Sequence, residues 1–185
     1  MRPARRASGL REGVAIAAIT LVSVGCGLGA TSTAASLPVA SVGPATTAGP
    51  AAAQTRGAIV SALSPVAVQL GDATRPYRPA ESGRLQNAPR AVYQVVLPDQ
   101  PDAGFIVVYE FPDSASAIDA GNEEAGYLGT GPGRVQFPLG MRHVLRAVGT
   151  TLILYSWLPA ASSSAVPGQV ADALGTLGIG FTVPS

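Results

Sequence analysis

The sequence predicts an α+β domain: an antiparallel sheet with helices packed on one face, preceded by a signal peptide and a disordered linker. Three observations predict it. Residues 105–111 (FIVVYEF) and 151–158 (TLILYSWL) are β-branched and aromatic runs of strand length. The segment 142–148 (RHVLRAV) alternates, and Gly149-Thr150 joins it to its neighbour by a tight turn with Gly first, which is a hairpin signal. Residues 113–128 and 166–177 carry apolar and small side chains at helical spacing. Strands joined by short turns run antiparallel, and helices gathered apart from them give the α+β class.

The chain begins with a different kind of segment. Residues 1–12 hold four arginines and one glutamate, and 14–24 (VAIAAITLVSV) is an uncharged apolar run of eleven. A basic region, a short apolar core and small residues at a cleavage point are the anatomy of an export signal. The run is shorter than the ~20 residues a membrane span needs. Ser23-Val24-Gly25-Cys26 resembles the lipobox of bacterial lipoproteins, with Ser23 standing where that family usually has Leu. The resemblance implies cleavage between Gly25 and Cys26, after the Cys26 thiol has taken a diacylglycerol. Acyl chains contribute ~0.8 kcal/mol per buried CH₂, so two or three anchor a protein stably. Cys26 is the single cysteine, so no internal disulfide can form. The resemblance thus implies a membrane partner through the lipid anchor and a place on the extracytoplasmic face of the cell membrane. Residues 26–56 then read as a tether. From 27 to 55 there is no charged or aromatic residue, and Pro38, Pro44 and Pro50 punctuate it. Such a stretch cannot bury enough apolar surface to order itself, and as a flexible coil it spans roughly 30 Å.

Residues 57–185 read as the folded domain. A short helix over 57–64 is stopped by Pro65, and 66–70 (VAVQL) reads as a strand ending at Gly71-Asp72. Residues 72–90, with Pro76, Pro79, Pro89, Arg75, Arg78, Arg84 and Arg90, read as an irregular surface loop. A strand over 91–97 and a turn over 98–104 lead to 105–111. Asp113 is the N-cap of a helix ending before Gly129, with Ala115, Ile118, Asn122 and Ala125 inward and Glu123 and Glu124 outward. Residues 135–137 read as a short strand before the hairpin. Val166, Val170, Ala173, Leu174 and Leu177 mark one face of a closing helix capped by Gly178, and Phe181 and Val183 return to the core.

This domain also resembles a class of small, uncharacterised α+β lipoproteins of high-GC bacteria. The matching phrases are Tyr109-Glu110-Phe111-Pro112-Asp113, His143-Val144-Leu145-Arg146, Leu152-Ile153-Leu154-Tyr155 and 174–181 (LGTLGIGF). Val144 and Leu145 depart from bulky aromatics. The resemblance covers about 91–181 and implies no activity.

Charge and motifs exclude several function classes. All twelve basic residues are arginine, and four lie in the first eleven positions. After cleavage eight arginines face ten acids, near −2, so a basic nucleic-acid surface is not expected. No metal motif, no cofactor motif and no catalytic set is found. His143 is the only histidine, so a triad must be built on it alone. Gly129-Thr130-Gly131-Pro132-Gly133 follows a helix and the chain has no lysine, so it is no phosphate loop. Glu110, in an apolar strand, is either a carboxyl made unusual by burial or a solvent-face residue near Arg142 or Arg146. Tyr77 with Arg75, Arg78, Arg84 and Arg90 forms a candidate protein-contact surface. The expected function is a membrane-anchored, non-enzymatic binding or accessory module with an envelope protein partner. The alternatives are a small-molecule or lipid-binding module using a groove between sheet and helices, and a hydrolase using Glu110 or His143.

Overall fold

The computed structural model describes residues 47–184. The signal segment, the Gly25–Cys26 junction and the tether up to residue 46 lie outside the described residues. The elements are α1 (Pro50–Leu63), β1 (Leu70–Asp72), α2 (Gly83–Asn87), β2 (Arg90–Val95), β3 (Phe105–Glu110), α3 (Ser114–Thr130), β4 (Arg142–Val148), β5 (Thr151–Trp157), α4 (Val166–Gly175) and β6 (Ile179–Phe181). They form the α+β class that the sequence predicts. One six-stranded sheet has the order β1-β2-β3-β5-β4-β6, and every pairing is antiparallel.

The helices, however, cover both faces rather than one. Ala91, Tyr93, Val95, Ile106, Val108, Ile153 and Tyr155 meet Ala52, Ile59 and Leu63 of α1 and Val170, Ala171 and Leu174 of α4. The alternate residues Val92, Phe105, Val107, Tyr109, Leu152 and Leu154, with Leu145 and Ala147, meet Leu85 of α2 and Ala120, Ala125 and Leu128 of α3. The physical reason lies in the strands. A half-solvated antiparallel strand alternates apolar with polar, whereas 105–109 and 151–155 are buried at every position. A continuous apolar run needs cover on both sides.

Three local expectations also shift. Helix α1 begins at Pro50, inside the stretch read as tether. Pro50 stands in the first turn, where its missing N–H costs nothing. Burial of Ala52, Ile59 and Leu63 then holds a helix that its sequence alone would not. Residues 64–66 form a 3₁₀ turn that contains Pro65, and only 70–72 remain as strand. Residues 134–136 form a second 3₁₀ turn instead of a strand, and 83–87 make a short helix within the expected loop.

Other expectations hold. Asp113 caps α3, its Oδ1 accepting from the Ser116 N–H at 2.7 Å, and β4 and β5 form the hairpin, Val148 opposite Thr151. Gly178 has φ 42, and a Cβ there would collide with the Ala147 carbonyl, so glycine is required between α4 and β6.

Two glycines of α3 give a contrasting prediction. Around Gly126 there is open space, whereas a Cβ at Gly121 would run into the Phe181 ring. Gly126→Ala is expected to raise stability by about 0.5–1 kcal/mol through helix propensity. Gly121→Ala is expected to lower it by about 1 kcal/mol or more, because displacing the ring outweighs the same gain. Urea unfolding of the two variants decides this, and stabilisation by both would refute the packing of β6 on α3.

Candidate functional site

The residues that the sequence singles out do not converge. Glu110 ends β3 on the α1 side, and its Oε2 accepts from the Gly49 N–H at 2.7 Å. A carboxylate there meets the positive end of the α1 dipole. It is near neither Arg142 nor Arg146: its strand partner is Thr151, while those two pair with Trp157 and Ile153. The Arg146 guanidinium donates to the carbonyls of Leu177 and Gly178, the latter at 2.8 Å, and so closes the turn after α4.

The arginine-rich loop turns inward. The Arg78 Nε donates to Glu81 Oε2 at 2.6 Å, and Arg90 Nη1 to Glu81 Oε1 at 3.1 Å. Tyr109 completes the set, its hydroxyl donating to Glu81 Oε1 at 2.8 Å. Arg84 pairs with Glu123 at 2.8 Å, and Arg75 lies over the Phe105 ring. Tyr77 stacks on the same ring at 4.2 Å, nearly parallel. The expected contact surface of Tyr77 and four arginines is thus spent on internal partners, because Glu81 sits inside the loop and draws the cations to itself.

Beside Glu81 is a second enclosed carboxyl. Glu124, expected on the outer face of α3, is fully buried, along with Ala117, Ala120, Gly121 and Leu128. Its Oε2 accepts from the Ser82 N–H at 2.8 Å. Burial pushes its carboxyl up to about 7, with the Glu81 and Glu123 charges adding to the shift and Ser82 opposing it. The same burial, with Glu81 beside it, holds the Tyr109 hydroxyl protonated. Glu81 is 3% exposed and Glu124 0%, so this pair ties the 78–90 loop to the sheet and α3 and is closed to solvent.

An open cleft that includes a sequence-predicted residue lies where α3 ends and β4 begins. It has a volume of about 210 Å³ and is bounded by Leu128, Arg134, Phe137, Met141, His143 and Val183. The cross-strand register sets His143 opposite Ser156, with Nδ1 and Oγ 2.8 Å apart. The Phe137 ring meets the imidazole edge-on at 4.8 Å. Burial lowers the His143 pKa to about 4, so the ring is neutral at neutral pH. A base that weak has little drive to take a proton from a serine hydroxyl, and among the described residues no carboxylate hydrogen-bonds the ring. The pair is therefore a cross-strand hydrogen bond rather than an assembled nucleophile.

The rim of the cleft mixes exposed apolar residues with Arg134 and Gln136. Pro132 and Pro138 flank the 3₁₀ turn, and Gln136 Nε2 donates to the Tyr127 hydroxyl at 2.8 Å. On this loop Val135 is 84% and Leu139 93% exposed. The sequence reading places Val135 in a short strand over 135–137 and gives Leu139 no role, since the Gly- and Pro-rich context around it marks a loop and loops are expected to be polar. The signal was there: two large apolar side chains placed where turn chemistry asks for none.

No family model, no curated protein and no solved structure matches the chain. Among the described residues no group of three or more His, Asp or Glu side chains gathers as a metal site.

Proposed function

We propose that the chain is a lipid-anchored extracytoplasmic lipoprotein whose folded domain is a non-enzymatic binding module, with residues 131–141 as its contact surface. The lipobox-like Ser23-Val24-Gly25-Cys26 supports the anchor. The observation that carries the binding role is the exposure of Val135 and Leu139 on one loop flanked by Pro132 and Pro138. Large apolar side chains grouped with prolines on one exposed loop fit a contact surface. The cleft behind them, with its neutral His143, favours a second reading in which a small amphiphile is bound there.

The test is photo-crosslinking in the native membrane, with a photoreactive residue at position 139 and a control at the exposed position 54. Capture from 139 and not from 54 is expected, on a chain whose mature N-terminus is a diacylated Cys26. Equal capture from both positions would overturn the contact surface. An unmodified N-terminus downstream of Cys26 would overturn the anchor.

A further inference from the structure

We infer that the 131–141 loop is a membrane-contact tip that seats on an anionic lipid surface; this rests on reading the loop as the contact surface and names what covers it. Two features carry the inference. The first is the pair of apolar side chains just described, with Pro132, Pro138 and Leu139 all exposed around the loop. The second is charge. From Ala125 to Ala171 the chain has no acidic residue, yet it holds Arg134, Arg142 and Arg146. Arg146 is used in the turn after α4. Arg134 lies within the loop beside Val135; it is exposed and makes no ion pair with a described residue. Nothing acidic lines the cleft behind the loop. Asp172 shares a shallow cleft with Arg142 on the opposite face of the sheet. Asp99, in the turn between β2 and β3, is engaged by the hydroxyls of Ser162 and Ser163 and the N–H groups of Ser163 and Ser164.

Apolar side chains beside an unpaired arginine match a bilayer interface, where chains enter the acyl boundary and a guanidinium group meets headgroup phosphates. A protein partner fits less well. Each side of a stable complex buries roughly 800 Å², more than two side chains and their flanking prolines offer. A lipid contact can be weak and still be occupied when the domain is tethered beside the surface, because the tether sets a high effective concentration.

The experiment uses the full chain carrying Cys26→Ser, so that an environment-sensitive fluorophore attaches only at Leu139→Cys or, as control, Gln54→Cys. The apolar segment 14–24 brings both chains to vesicles, so the readout is local to the label. On phosphatidylglycerol vesicles the label at 139 is expected to shift to the blue and to be quenched by nitroxide-bearing lipids. The label at 54 is expected to do neither, and phosphatidylcholine vesicles are expected to leave both unchanged. Replacing Arg134 by Gln should cut the inserted population about fivefold. Arg134 lies on the surface, and unchanged near-UV circular dichroism verifies the fold. A water-like label at 139 on anionic vesicles, or an equal response on phosphatidylcholine, overturns the inference. If position 139 instead captures a protein in cells, the contact surface stands and its lipid occupant falls.

Discussion

Between pH 4.5 and 6.5 the stability of the intact domain is expected to change by only about 1 kcal/mol, while Glu124→Gln and His143→Asn each show a steep dependence of opposite sign. Glu124 has a folded pKa of about 7, above its ordinary 4.5. Its stabilising contribution is therefore complete below pH 4.5 and is lost as the pH rises through 7, a total of about 3 kcal/mol. His143 has a folded pKa of about 4, below its ordinary 6.5. Its contribution is complete above 6.5 and is lost as the pH falls through 4, about 2 kcal/mol once its partial exposure is allowed for. In the shared window folding takes a proton from the imidazole and gives one to the carboxyl, so the two slopes oppose each other. Glu124→Gln leaves the histidine alone, and stability should climb from pH 4 to 6.5. His143→Asn leaves the carboxyl alone, and stability should fall from pH 4.5 to 7. Urea unfolding across this range measures all three proteins, and parallel curves would show that neither group titrates as its surroundings require.

The largest single loss is expected at Glu81. Its carboxylate receives Tyr109, Arg90 and Arg78, and is 3% exposed. Glu81→Leu strands the Tyr109 hydroxyl and the Arg90 guanidinium, whose side chain is only 17% exposed. Removing one partner of a buried ion pair costs about 3–5 kcal/mol. Arg78 is half exposed and can turn to water. Glu81→Leu combined with Arg90→Met is therefore expected to be more stable than Glu81→Leu alone, since the abandoned charge is gone. Thermal and urea unfolding of the three proteins test this. A double variant less stable than the single one would mean that Arg90 stabilises the fold through its stem rather than through its charge.

The strands and the hairpin were legible because their chemistry is local. FIVVYEF has few alternatives to a strand, and Gly149 supplies the positive φ of 58 that the turn needs. The number of covered faces was legible too, in the absence of alternation through 105–109, but was read as strand strength alone. Helix α3 failed differently. Alanine and glycine occur on several of its stripes, so hydrophobic spacing does not choose a face, and the stripe Ala117-Gly121-Glu124-Leu128 hides an acid among small residues. The start of α1 was hidden for a related reason. Its alanines look like tether until the sheet they pack on is known. The Glu81 centre joins residues from three separated segments, and only the Arg78–Glu81 spacing of three hinted at it. The arginines of the 72–90 loop look free in the sequence because their partners, Phe105, Glu81 and Glu123, come from inside the loop or from distant segments.

The sheet's two rims bear on how copies of the domain meet. Both outermost strands, β1 and β6, are three residues long. An unpaired strand edge invites another copy to add to it. Rims this short give an approaching copy too few hydrogen bonds to hold on to. Copies of the domain are thereby kept from zipping into a continuous ribbon.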